Sequence, residues 1–149
     1  MSAAATKPRA RPFRLRPPVV TEHTLHTSVA DALDRLLLPP AEWTTFPAGS
    51  VPLPPEFAVK LSRMGLKRGW PDILVVHHGI YGLELKRFGG SLSRTRTVRT
   101  RSGAPRVLDG QTDTFPRLIT AGMRIAVCHS IEEVIAALAL WDVPMRGVT

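Results

Sequence analysis

The stretch Gly65-Leu66-Lys67-Arg68-Gly69-Trp70-Pro71-Asp72-Ile73-Leu74-Val75-Val76-His77-His78-Gly79-Ile80-Tyr81-Gly82-Leu83-Glu84-Leu85-Lys86 decides how the chain reads. Ile73 to Val76 is an apolar, β-branched run, His77-His78-Gly79 carries turn chemistry, and Ile80 to Lys86 alternates as a returning strand, so the segment predicts a β-hairpin. With the hairpin centred on His78, Asp72 stands opposite Glu84. Directly opposed positions bring Cβ atoms to ~4.5 to 5.5 Å, where like charges repel unless something positive lies between them. A hard divalent cation removes that penalty, and Mg2+ favours one or two carboxylates with waters and phosphate oxygens completing its shell. Strand alternation puts Lys86 on the face of Glu84 and turns Leu83 and Leu85 to the core. An ammonium there can orient an attacking water and counter charge building on a phosphate. The plainer alternative is a surface hairpin in which Glu84 and Lys86 are solvated neighbours.

On the N-terminal side, Thr21 is placed to cap a helix whose Leu25, Val29, Leu33, Leu36 and Leu37 recur at helical spacing until Pro39 and Pro40 stop it. Glu42 to Pro47 reads as a short extended segment, Pro47 to Pro55 as a loop, and Pro55 opens a short helix with Phe57, Leu61 and Met64 on one face and Gly65 as its stop. On the C-terminal side, Gln111 to Ala121 reads as helix ending at Gly122, with Pro116 tolerated if the regular helix begins near Thr112. Met123 to Cys128 is a further strand. Ser130 and Glu133 form a capping box for a last helix with Ile131, Val134, Ile135 and Leu138 on its apolar face. The predicted order is α-α-β-β-α-β-α, a short mixed sheet flanked by helices, with no internal repeat.

The 149 residues, 44% apolar and 21% charged, suit one compact domain, residues 21–149, behind an Ala/Arg/Pro-rich basic arm, residues 1–20, expected to be disordered. No run of 18 apolar residues or secretory signal is legible, so a cytoplasmic protein without membrane attachment is expected. Cys128 is the single cysteine, which excludes an internal disulfide and a multi-Cys zinc site and leaves oxygen and nitrogen ligands for any metal. The net charge of +8 is concentrated. Lys7, Arg9, Arg11, Arg14 and Arg16 lie in the arm, and Lys86, Arg87, Arg94, Arg96, Arg99, Arg101 and Arg106 lie in a second acid-free stretch. Removing these twelve leaves 8 basic against 12 acidic residues, so two basic blocks stand on a mildly acidic body. Acid-free basic blocks point to a polyanion, nucleic acid first. Solubilising charge is the plainer reading.

Taken together, Pro71-Asp72, the apolar strand and Leu83-Glu84-Leu85-Lys86 resemble the Pro-Asp…Glu-x-Lys core of restriction-endonuclease-like nucleases, and more narrowly the stand-alone VRR-NUC (virus-type replication-repair nuclease) domain, over residues 21–144. That family carries a Glu in its first helix, a Gln opening the helix after the core, and a Gly before the closing strand and helix. Glu22, Gln111 and Gly122 match those places. One departure stands out: relatives keep the Gln close to the strand in a Leu-Ser-x-x-Gln arrangement, whereas here an Arg/Thr-rich insertion, residues 93–107, separates Leu92-Ser93 from Gln111. The insertion reads as a flexible loop whose arginines track phosphates, or as a disordered loop without a ligand.

The resemblance implies a restriction-endonuclease-like fold and a hydrolase that cuts DNA phosphodiesters with Mg2+ or Mn2+ and no small-molecule cofactor. It implies that Asp72, Glu84 and the Leu85 carbonyl hold the metal, that Glu22 is a further candidate ligand, and that Lys86 and Gln111 complete the catalytic set. Arg87, Arg94, Arg96, Arg99, Arg101, Arg106, Lys67 and Arg68 are the expected DNA contacts. Family relatives associate with replication, recombination and repair in prokaryotes and phages and act as homodimers on branched, Holliday-junction-like DNA. The rival expectations are a non-catalytic nucleic-acid-binding protein that keeps the nuclease fold and a small basic ribonucleoprotein component. His26, one helical turn from Glu22, is read as either part of the metal surroundings or an exposed helix residue. His77 and His78 are read as turn residues, Cys128 as core, and Trp43, Trp70 and Trp141 as core or interface aromatics.

Overall fold

The computed structural model describes residues 21–46 and 53–147, so the basic arm and most of the loop before Pro55 lie outside the described residues. The chain runs α1 (Glu22–Leu36), β1 (Glu42–Thr45), α2 (Pro55–Arg63), β2 (Ile73–Val76), β3 (Ile80–Leu85), β4 (Arg96–Arg99), β5 (Pro105–Leu108), α3 (Gln111–Thr120), β6 (Arg124–Cys128) and α4 (Ile131–Leu140). It is a mixed α/β arrangement with four helices and a small mixed sheet in the order β1-β2-β3-β6. The first two pairings are antiparallel, and β6 joins β3 in parallel. The hairpin register is the predicted one, with Ile73 opposite Leu83 and Val76 opposite Ile80.

Strand alternation sorts β3 into two uses. Tyr81, Leu83 and Leu85 face a core shared with Ile73, Val75, Leu25, Val29 and Leu33 of α1, and Val134 and Leu138 of α4. Leu83 and Val29 are fully buried. Gly82 and Glu84 face the other way. A Cβ on Gly82 would lie 2.5 Å from Pro71 Cγ and 3.3 Å from Met123 Sδ, so only glycine lets those side chains close over this face. Gly69, at φ +77, likewise brings the chain before Pro71 against Gly110 and Thr114 at the start of α3. The face that carries Glu84 is therefore roofed, not solvated.

Helix signals match chemistry at several ends. Thr21 Oγ1 accepts from Thr24 N at 3.1 Å, and Ser130 Oγ accepts from Glu133 N at 3.3 Å. The capping box is not closed by its usual return bond. The Glu133 carboxylate instead accepts the His129 backbone N–H at 2.7 Å and contacts His129 Nδ1 at 3.1 Å. α3 starts at Gln111, so Pro116 sits inside it, and the carbonyl one turn earlier gives up a helical bond. α2 has the predicted amphipathic pattern, yet none of its residues is buried, and Phe57, Val59 and Met64 are exposed.

The largest correction concerns residues 93–107. They form no loop but an antiparallel ribbon, β4 paired with β5, with Arg96 opposite Leu108 and Arg99 opposite Pro105. Thr97, Val98 and Val107 supply β-branched residues to the two arms. The turn closes through Thr100 N to Ala104 O at 2.9 Å and Gly103 N to Thr100 O at 2.9 Å, with Gly103 at φ +81. The ribbon is a separate sheet.

No described helix is long and apolar enough to cross a membrane. The three tryptophans do structural work: Trp43 Nε1 donates to Asp34 Oδ1 at 3.0 Å, Trp70 meets Phe46 with centroids 5.2 Å apart, and Trp141 stacks on Tyr81 at 5.0 Å. Burial, with the charge of Glu133 adding, pushes the Cys128 thiol up to about 11. Only about one thiol in a thousand is then ionised near pH 8. Alkylation of the native protein by iodoacetamide is accordingly expected to be negligible until it is unfolded, and fast labelling of folded protein would contradict this placement.

Candidate active site

Three backbone segments converge beneath α3. Pro71 directs Asp72 to the end of β2, where the hairpin ladder stops. The Leu85 N–H therefore finds Asp72 Oδ2 as its acceptor, at 2.9 Å. Leu85 thus enters the site through its N–H. The Asp72 carbonyl accepts from Phe46 N at 2.7 Å, which ties this end of the sheet to the segment after β1. Glu84, on the neighbouring strand, is 0% exposed. Its Oε1 lies 2.6 Å from Lys86 Nζ and accepts from Gln111 Nε2 at 2.5 Å.

Glu84 Oε2 is buried and has no hydrogen-bond partner. An unsatisfied buried polar atom costs about 1–3 kcal/mol, and more when charged. Burial pushes the Glu84 carboxyl above the ordinary carboxylate range, the charge of Asp72 adds to this, and Lys86 and Gln111 offset it only in part. For Lys86, burial alone would lower the pKa. The hydrogen bond and charge of Glu84, with Glu22 and Asp72 behind, overcome that and hold the ammonium above its usual value. Lys86 is therefore a fixed cation at neutral pH.

An oxygen donor set with one buried, unpartnered carboxylate oxygen fits a hard divalent cation. Among the described residues no group of three or more His, Cys, Asp or Glu side chains could hold a metal ion. Two carboxylates with backbone, water and phosphate oxygens are what the surroundings can supply, which suits Mg2+ better than a zinc cage.

Gln111 is 8% exposed at the first turn of α3, and its placement answers the question raised by the insertion. The ribbon leaves and returns at one neck. There Ser93 N donates to Gln111 Oε1 at 3.0 Å, Gln111 N donates to Ser93 Oγ at 3.1 Å, and Thr112 N donates to Ser93 O at 3.1 Å. Thr95 Oγ1 accepts from Gly110 N at 2.9 Å. Ser93 is thus beside Gln111 in space despite the sequence between them. A chain Ser93–Gln111–Glu84 runs from the ribbon's root to the buried carboxylate.

The structure brings together Asp72, Glu84, Lys86 and Gln111. Glu22 lies within electrostatic range of Lys86 but is exposed. His26 Nε2 contacts Thr45 Oγ1 at 3.2 Å, linking α1 to β1, and is not among the groups around Glu84. His77 and His78 occupy the hairpin turn, with His78 at φ 52. Arg87, Arg94, Arg96, Arg99, Arg101, Arg106, Lys67 and Arg68 are all exposed. Phe88, 96% exposed two residues beyond Lys86, passed unnoticed in the sequence. Ser93 and Gly110 were equally silent as holders of Gln111. The signal for Ser93 was the Leu-Ser pair itself, once the insertion is recognised as a closed ribbon. The chain matches no protein-family model, no curated protein and no solved structure.

Proposed function

We propose that the protein is a Mg2+- or Mn2+-dependent DNA endonuclease built on a restriction-endonuclease-like core. The observation that supports it most is Glu84: a fully buried carboxylate facing Asp72, with Lys86 on one oxygen and no partner on the other. A purely structural core has no use for such a group, since an apolar residue there costs less. Asp72 and Glu84 would hold the cation with the Leu85 carbonyl, and Glu22 is the further candidate. When bound, such an ion supplies Lewis-acid stabilisation of charge on the scissile phosphate.

The chain's own residues do the positioning. Lys86 keeps its proton on Nζ, orients the water that attacks phosphorus and counters the negative charge added in the transition state. Gln111 fixes the Glu84 carboxylate through Nε2, and Ser93 fixes Gln111. The burial of Glu84 strengthens each of these interactions. Branched DNA as substrate, a homodimer, and a role in replication, recombination or repair follow from the motif resemblance. A two-fold dimer would present paired sites to a symmetric junction.

The test is cleavage of a matched panel of single strand, duplex, flap, splayed arm and four-way junction with Mg2+, Mn2+ or EDTA, by the wild type and Asp72→Ala. Metal-dependent cutting that disappears in Asp72→Ala is expected. Tight binding without cutting under every condition would replace this reading with that of a non-catalytic nucleic-acid-binding protein. Light scattering is expected to give a dimer, and monomer alone with and without junction DNA would remove the symmetric-junction part.

A further inference from the structure

The ribbon β4–β5 projects a pattern that neither solubility nor core packing requires. Between Arg94 and Leu108 it carries five arginines, no acid and no aromatic residue. Register places Thr97, Arg99, Pro105 and Val107 on one face and Arg96, Val98, Arg106 and Leu108 on the other. Val98 and Leu108 are partly buried, so the second face is turned toward protein. The first face is open, and Val107 is 61% exposed at its centre. Arg101 sits in the turn.

From this geometry we infer that the ribbon enters the major groove of B-form duplex DNA beside the candidate active site, with Thr97, Arg99 and Val107 toward the base edges and Arg96, Arg101 and Arg106 toward phosphates. This deepens the endonuclease reading and rests on it only for the adjacency of the cut. A two-stranded ribbon fits the B-DNA major groove, which is about 12 Å wide. Four paired residues at about 3.4 Å each give an arm of roughly 13 Å, longer than the groove's depth of about 8.5 Å. The major groove of A-form RNA is too narrow for side chains to read. Single strands are bound by stacking on aromatics, which the ribbon lacks. Arginine pairs with guanine edges, while threonine and valine methyls suit the thymine methyl. The arm is rooted through Ser93 to Gln111, so a duplex held by it lies next to Glu84.

The experiment compares the wild type with Arg96→Gln/Arg99→Gln/Arg101→Gln/Arg106→Gln in EDTA, where no cutting occurs. Fluorescence anisotropy follows binding to a duplex DNA, the RNA duplex of the same sequence and a single DNA strand, from about 50 to about 200 mM salt. All four arginines are exposed, and unchanged thermal unfolding confirms the variant's fold. On duplex DNA the magnitude of the log K against log salt slope is expected to fall by about 3 to 4, at roughly 0.9 per lost phosphate contact, with at least ~100-fold weaker binding at the lowest salt. Single strand and RNA duplex should change by less than about 3-fold on the same argument. Guanine N7 methylation, which blocks the major groove, should inhibit wild-type binding, and the minor-groove ligand netropsin should not compete. Unchanged duplex binding, an equal loss on all three probes, or competition by netropsin without N7 interference overturns the inference.

Cleavage separates the two readings. If the wild type cuts nothing with any metal but the arginine variant loses duplex binding, the nuclease reading fails and the ribbon stands. If the wild type cuts and the variant binds duplex normally, the ribbon inference fails alone.

Discussion

Lys86→Met is expected to destabilise the metal-free protein by about 3 kcal/mol at about pH 8 and by much less at about pH 5, because it strands Glu84. The sign follows from the direction of the Glu84 shift. Its carboxyl is held above the model value of 4.5 in the folded chain by burial and by Asp72, even with Lys86 in place. Without Lys86 both the opposing charge and its hydrogen bond vanish, so the folded-state value rises further. Below the unfolded value the carboxyl is protonated in both states, and the loss of Lys86 carries no electrostatic penalty. As pH climbs through the folded value, the native state must hold a proton that the unfolded chain releases, or ionise without a partner, and stability drains away. Glu84→Gln should behave differently. The amide keeps an oxygen for Gln111 and has no charge to strand. Lys86, with 14% of its side chain exposed, can lean toward water while Asp72 and Glu22 still attract it. Glu84→Gln is therefore expected to stay within about 1 kcal/mol of wild type and to flatten the pH dependence. The double variant should recover most of the Lys86→Met loss, a coupling of about 1 to 3 kcal/mol. Urea unfolding of the four proteins in EDTA across this pH range measures all of it. Equal destabilisation by Lys86→Met at both ends would show that packing and not charge holds the pair. Cleavage should fall at least about a thousandfold in either single variant, since electrostatic stabilisation at a phosphate is worth several kcal/mol and each 1.4 kcal/mol is about tenfold.

How much of this was legible beforehand depends on the range over which the sequence signal acts. The hairpin register was legible because its turn is three residues long and the apolar alternation on either side admits one centring. Asp72, Glu84 and Lys86 came with it, since they lie within two residues of the ladder ends. The ends of α1 and α4 were legible from local hydroxyl caps. The ribbon was not, because Arg and Thr dominate Ser93 to Arg106, and a strand pair exposed on one face offers no apolar alternation to detect. Its signal was chemical: β-branched residues on both sides of Ser102-Gly103. The roof over Glu84 was equally hidden. It depends on Gly82 and Gly69 letting Pro71 and the start of α3 approach, a matter of tertiary contact with no local pattern. The exposure of α2's apolar face is likewise invisible in its periodicity, which reports that a helix is amphipathic and not what it meets.

Gly110→Ala is expected to be the most damaging single-atom-group insertion on the ribbon side of the site. Gly110 caps α3 with φ −106, a conformation open to alanine, so the penalty is spatial and not conformational. A Cβ there would come within 2.6 Å of Ser93 O and closer still to the Arg94 carbonyl carbon and the Thr95 nitrogen, all of them backbone atoms. No rotamer change relieves such a clash, so the neck must open. Opening it separates Ser93 from Gln111 and Thr112, and Gln111 then loses the two bonds that aim its amide at Glu84. Overpacking of this kind costs about 1–3 kcal/mol. Release of a residue that orients a metal-holding carboxylate costs about 10- to 100-fold in activity. Hydrogen exchange should report the same event as faster loss of protection at Thr112 and Gly110 N–H. Two comparisons isolate the cause. Gly65→Ala, at φ +101 with open space around it, should cost about 1 kcal/mol through the backbone while leaving cleavage intact. Ser93→Ala removes only the hydroxyl acceptor of Gln111 N, while the backbone bonds from Ser93 N to Gln111 Oε1 and from Thr112 N to Ser93 O survive, so its loss of activity should be smaller than that of Gly110→Ala. The order reverses only if the hydroxyl itself, and not the closure of the neck, holds Gln111 against Glu84.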